Sequence, residues 1–253
     1  MIPISDSVRS RSTPYVNIAF IVINLVAFLY EVYLSQDVVR GNVTELDIFI
    51  RHWGNIPACT FDAVGAGELS ARGQAVCSDQ DQPLLTIFTA MFIHGGWLHI
   101  AGNMLFLWIF GDNVEDAMGH VRYGVFYLLC GMLAALTHGL SDVNGLQPAV
   151  GASGAIAGVM GAYIVLFPRA TVSVIFGFIL IPIPIPAFVM IGVWILIQVF
   201  FGWASLGVDT ASGGVAYFAH IGGFVAGAAL VNLFVLGRPR RGRARRRTAQ
   251  DFW

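Results

Sequence analysis

Charge is scarce in this sequence. Asp, Glu, Lys and Arg make up 11% of 253 residues against 57% hydrophobic, where soluble globular domains carry about 25% charged residues. An ordinary water-soluble fold is therefore the wrong starting point. Lysine is missing altogether, so all 14 basic side chains are arginine, and half of them crowd into the C-terminal stretch "GRPRRGRARRR". Cysteine occurs only at positions 59, 77 and 130. No H-E-x-x-H pair is present, which removes the usual helical zinc-hydrolase signature.

What fills the chain instead is long apolar runs. A membrane-crossing helix needs about 20 apolar residues, somewhat fewer when tilted or enclosed. Segments 15–34, 97–114, 123–140, 151–168, 186–203 and 217–236 meet that need, which gives an all-α membrane protein of six transmembrane helices. The first run is longer than the apolar region of a signal peptide and has no obvious small-x-small cleavage site, so it reads as a retained span.

An even number of spans puts both termini on one side. That side carries Arg9, Arg11, Arg122, Arg169 and the seven tail arginines, against Arg40, Arg51 and Arg72 on the other. Arginine excess marks the cytoplasmic face. The expected organisation is a cytoplasmic N-terminus over 1–14, a six-helix membrane domain over 15–236 with a long outer loop at about 35–96, and an Arg-rich cytoplasmic tail over 237–253. This topology suits a multi-pass protein of the cell (inner) membrane. The tail reads as a positive-inside anchor against anionic lipid rather than a nucleic-acid site. Cys59 and Cys77 share the outer loop, where disulfides persist; a bridge between them would contribute about 3 kcal/mol in the chain-entropy model, with two free thiols as the alternative. Cys130 falls in the third span as a small buried hydrophobe.

Polar side chains inside spans are costly and need a reason. The second span opens "HGGWLHIAGNM", with His94 just ahead of the helix and with His99 and Asn103 four apart on one helical face. The fourth opens with Ser153 in "GASGAIAG", the sixth with His220 in "AHIGGFVAG". Spans two, four and six run in the same direction, so their beginnings share one leaflet and these groups share a depth. Gly154, Ala157, Gly158 and Gly161 in span four, with Gly223 and Gly227 in span six, form small-residue stripes that predict close packing of the two helices.

That packing suggests chemistry. Ser153 sits among the unpaired N–H groups at the start of a helix. Its hydroxyl is placed to attack a carbonyl with His220 as base, while the Ser153 N–H, Asn103 and His99 form an oxyanion hole. Gly151 and Gly154 leave room beside that backbone for a peptide, and His94 supports the loop. No acid in the apolar segments is an obvious partner for His220, Asp142 and Asp209 being in loops, so a Ser–His dyad is expected rather than a triad. "GASGA" is not a nucleophile elbow, which requires a strand before the serine and a glycine where Ala155 stands. Taken singly, each group also has a structural reading: a glycine-flanked serine as a packing device, and Asn103, like Asn17 and Asn24 in the first span, as a helix–helix hydrogen bond. The constellation carries the argument.

These motifs, H-x-x-x-x-H-x-x-x-N, G-x-S-G and A-H-x-x-G, in order and on alternate spans, resemble the rhomboid family of intramembrane serine proteases along essentially the whole chain. The resemblance implies Ser153 as nucleophile, His220 as base and then acid, Asn103 and His99 in the oxyanion hole, and no cofactor or metal. It implies transmembrane protein substrates in the lipid bilayer, cleaved near the outer leaflet at small residues, with lateral access past span five, where Trp194, Phe200 and Phe201 are candidate lipid-facing or gate residues. Two family features are absent. Leu85 and Thr86 replace a Trp-Arg pair, and Ala157 replaces an aromatic that stacks on the histidine, leaving Tyr217 or another neighbour to orient His220. The rivals are a non-catalytic rhomboid-like protein that binds or escorts transmembrane helices, and a metal site or transporter built on His94, His99 and His220.

Overall fold

A computed structural model of the chain describes residues 2–40, 43–177, 179–206 and 215–238. The arginine-rich tail beyond Arg238 lies outside these residues. The elements in order are strand β1 (Ile2–Asp6), helix α1 (Tyr15–Leu34), strands β2 (Val38–Arg40) and β3 (Val43–Thr44), helices α2 (Glu45–Trp53), α3 (Pro57–Ala63), α4 (Ala71–Cys77) and α5 (Thr86–Thr89), and a 3₁₀ turn (Ala90–Phe92). There follow α6 (Trp97–Met118), α7 (His120–Ser141), α8 (Ser153–Leu166), β4 (Thr171–Phe176), β5 (Ile179–Pro186), α9 (Ala187–Ala204) and α10 (Tyr217–Phe234).

Each apolar run forms a helix within a few residues of its expected bounds. Four of them, α1, α7, α9 and α10, are long and apolar enough to cross a membrane. The other two fall short of that standard for identifiable reasons. α6 ends on Asp112, Glu115 and Asp116, and α8 has only 14 residues. From Gly154 to Tyr163 every residue of α8 is buried. A helix sheathed in protein has no lipid face and need not match the hydrocarbon thickness.

Helices α8 and α10 touch backbone to backbone. A methyl group built on Gly223 would overlap the carbonyl oxygen of Gly154, and one on Gly227 that of Gly158. On another side of α8, Gly154 faces Ala134 and Gly158 faces Cys130, both on α7. Cys130 is a free, buried thiol in this seam. The aromatic core, with Phe110, Tyr123, Phe126, Tyr127 and Tyr163 fully enclosed, fills the space between α6, α7 and α8.

One expectation requires correction. The chain is mostly helical but not all-α, because β1, β4 and β5 form an antiparallel three-stranded sheet. β1 pairs Ile2 with Ile175 and Asp6 with Val172, so the N-terminal residues include a strand. In "ILIPIPIP" the alternating prolines remove N–H groups along one side of β5, which only an edge strand tolerates. The segment 35–96, expected as a long outer loop, carries structure of its own. It folds into β2, β3 and four short helices, with Thr44 and Asp47 in a reciprocal capping box on α2 and Ser70 capping α4. Cys59 and Cys77 are bonded to each other across α3 and α4, with Cα atoms 5.4 Å apart.

At the opposite end, acids of α6 hold the N-terminal residues. Both Glu115 oxygens accept from the first turn of α1, Val16 N–H at 3.0 Å and Asn17 N–H at 2.7 Å. Asp116 accepts from the Ser12 backbone and hydroxyl. Asn17 accepts from the Tyr123 hydroxyl and donates to the Leu107 carbonyl. The Asn24 side chain donates to Phe20 in its own helix.

Candidate active site

Ser153 is the first residue of α8, where the first-turn amides have no intrahelical acceptor. His220 lies in the first turn of α10 and is 9% exposed. The close α8–α10 crossing sets these two starts side by side, with Ser153 Oγ 2.7 Å from His220 Nε2. The histidine is fixed from its other nitrogen as well: Nδ1 is 2.8 Å from Oε1 of Gln198 on α9. The Trp194 indole lies against the imidazole at 5.6 Å between ring centroids. Tyr217, expected as a neighbour that orients the histidine, stacks instead on Phe201.

Gly151 has φ +124°, a conformation that L side chains rarely adopt. A Cβ there would also lie 2.7 Å from Nε2 of His99. Both conditions require glycine, and the second places the His99 ring against the backbone leading to Ser153. One turn further along the same face of α6, Asn103 is 7% exposed and its Nδ2 has no hydrogen-bond partner among the described residues. A buried donor without a partner costs about 1–3 kcal/mol. Such a cost is consistent with a donor held ready for an incoming oxygen.

The loop ahead of Ser153 is held from the segment between α1 and α6. Asn55 and Ala149 exchange backbone hydrogen bonds, Ala58 N–H donates to Gly145, and Gly151 N–H donates to Ala90 at 2.8 Å. The Asn55 side chain donates to Thr60 and Thr86. Thr86, at one position of the missing Trp-Arg pair, is thus buried in a hydroxyl–amide cluster. A cavity beside Ser153 is lined largely by small side chains, among them Ala134, Ala135, Gly154 and Ala219, with Asn55 and His138 as polar members.

His94 stands apart from the reacting groups. Its backbone N–H donates to both oxygens of Glu31 on α1, at 3.2 and 3.0 Å, and its ring packs on His99 at 5.1 Å. Burial, with a smaller contribution from the neighbouring His99, holds its pKa down at about 4, so the ring is neutral at physiological pH. Glu31 is an acid within the apolar segments that the sequence reading did not single out. It is 1% exposed in the first of them, yet serves the loop before α6 rather than His220.

Residues 81–237 match the family model described as the Rhomboid domain. The chain belongs to the rhomboid family. It is 29% identical over 173 residues to "Rhomboid protein 1, mitochondrial" of Saccharomyces cerevisiae, covering 67% of this chain and 47% of the yeast protein. It is 34% identical over 148 residues to "Rhomboid protease GluP" of Bacillus subtilis, covering 57% of this chain and 25% of that protein. With "RHOMBOID-like protein 5" of Arabidopsis thaliana the identity is 37% over 76 residues, 30% of this chain and 25% of the plant protein. The matches therefore span a quarter to just under half of each relative's length. The rhomboid match covers α6 to α10, which carry every proposed reacting group.

Three residues of the site escaped the sequence reading: Gln198, Glu31 and Asn55. Gln198 had a usable signal, since it is the one amide in the otherwise apolar α9 and such a group needs a partner.

Proposed function

We propose that this rhomboid is an intramembrane serine endopeptidase that cleaves transmembrane segments of membrane-anchored proteins near the outer leaflet. In this reading α6 and α8 complete a six-span bundle with α1, α7, α9 and α10. Both termini are cytoplasmic in the cell (inner) membrane, and residues 43–96 cap the outer face. The observation that carries it is the 2.7 Å approach of Ser153 Oγ to His220 Nε2.

Ser153 Oγ attacks the scissile carbonyl as its proton passes to His220 Nε2. The negative charge that develops on the carbonyl oxygen is met by the Ser153 N–H, the unpartnered Asn103 amide and His99. Collapse of this intermediate breaks the C–N bond, and His220 returns the proton to the leaving amine. Water then takes the place of the amine and repeats the sequence in reverse on the acyl-serine. The Ala- and Gly-lined cavity suits a small side chain at the scissile residue.

The test is cleavage of an unstable transmembrane substrate in reconstituted bilayers, comparing the parent with Ser153→Ala and His220→Ala. Loss of cleavage in both variants, with fluorophosphonate labelling abolished by Ser153→Ala, supports the reading. Binding of substrate by the parent without cleavage would favour a helix-binding role instead.

A further inference from the structure

α9 reads "AFVMIGVWILIQVFFGWA", in which Gln198 is the only side-chain amide. Its neighbours Ile197 and Val199 are 44% and 46% exposed toward the surroundings, whereas Gln198 is 7% exposed and turned inward. An amide in an apolar environment costs several kcal/mol without a partner. The buried amide of Asn17 on α1 meets this cost on the Leu107 carbonyl and the Tyr123 hydroxyl. Gln198 meets it on the imidazole that faces Ser153.

From this geometry we infer that Gln198 is the positioning residue for His220, its side-chain carbonyl fixing the proton on Nδ1 so that Nε2 presents its lone pair to Ser153. The inference rests on the peptidase reading and completes the dyad with an amide. Oxygen Oε1 can only accept, so an imidazole facing it at 2.8 Å donates from Nδ1. A neutral imidazole carries one proton, so Nε2 is left bare toward the hydroxyl at 2.7 Å. The same task falls to the third member of a serine-protease triad, which holds the histidine in the correct tautomer and orientation. Trp194, one turn earlier on α9, covers the ring from the side. A single helix thus sets both the tilt and the tautomer of the base, and it does so without adding a negative charge to the site.

Rotating the Gln198 amide by half a turn would present Nε2–H to Nδ1, move the proton to His220 Nε2 and leave no base for Ser153. The two states are distinguishable by 15N NMR of the reconstituted protein with labelled histidine, His220 being assigned from the His220→Ala spectrum. The parent should show a protonated Nδ1 and an unprotonated Nε2 at neutral pH. Gln198→Met keeps the length and removes the acceptor; it should lower kcat about 10- to 100-fold with KM within about twofold, and should mix the two tautomers. Gln198→Glu keeps an acceptor oxygen and should retain kcat within about fivefold of the parent.

A parent whose His220 is protonated on Nε2 overturns the inference, whatever the variants do. So does a folded Gln198→Met that keeps both kcat and the tautomer. Should Gln198→Met fail to fold, the parent spectrum and the Gln198→Glu kinetics decide: a Glu variant as inactive as Ser153→Ala overturns the inference. Cleavage by the parent that persists in Ser153→Ala would overturn the peptidase reading itself, and that outcome is visible before any Gln198 variant is made.

Discussion

Both carboxylate oxygens of Glu31, buried in α1, accept the backbone N–H of His94 in the turn that leads into α6. The bond joins the first membrane helix to the segment that positions His99 and Asn103. Glu31→Leu leaves that buried N–H unpaired and should destabilise the fold by about 1–3 kcal/mol. Glu31→Gln, which keeps an acceptor, should cost less than half of that. Thermal unfolding in detergent compares the two; equal losses would show that acceptor chemistry is not what matters here.

The Gly223–Gly154 contact leaves no space for a side chain. Gly223→Val should force α10 away from α8, cost about 1–3 kcal/mol and lower cleavage more than 10-fold by separating His220 from Ser153. Gly102, where an added Cβ meets nothing within 4 Å, is the control: Gly102→Ala should leave stability and activity close to the parent values. Unfolding and cleavage measured together on both variants test the contrast.

The Cys59–Cys77 bridge spans 18 residues, and opening a loop of this size removes about 3 kcal/mol in the chain-entropy model. Reduction, or Cys77→Ser, should make α3 and α4 sensitive to protease at temperatures where the intact protein resists. The helical bundle should stay folded by circular dichroism. A simultaneous loss of helix signal would show that the outer segment and the bundle unfold as one unit.

Asp6 on β1 is hydrogen-bonded to the Tyr163 hydroxyl and to Asn113. Burial is the main reason its pKa is raised to about 7; the Asp112 charge adds to the rise and the Tyr163 hydrogen bond opposes it. Between about pH 4 and 7 the folded protein therefore binds more protons at this site than the unfolded chain, so its contribution to stability falls as pH rises. The attachment of β1 should loosen from pH 5 to pH 8, and Asp6→Asn should flatten that dependence. Hydrogen exchange of the β1–β4 amides at the two pH values reads both effects.

Much of the bundle was legible because a bilayer-adapted chain spells its helices as apolar runs and its helix contacts as small-residue stripes. The approach of Ser153 to His220 was legible in the small-residue stripes that bring α8 and α10 together. Gln198 was not legible as a partner of His220, because a lone amide in an apolar run says that a partner exists but not which helix supplies it. The outer segment was opaque for another reason: its helices run seven to nine residues or fewer, too short to develop a periodicity, and only Thr44, Asp47 and Ser70 advertise their ends. The sheet was hidden by separation, since β1 and β4 lie about 165 residues apart and neither repeats long enough to announce a strand.

The backbone exchange between Asn55 and Ala149 gives the segment of short helices between α1 and α6 a mechanical grip on the loop that delivers Ser153. If Ser153 and His220 act as proposed, an antibody fragment clamped on the helices around Cys59 and Cys77 would act as a remote brake. It would alter turnover without touching either Ser153 or His220.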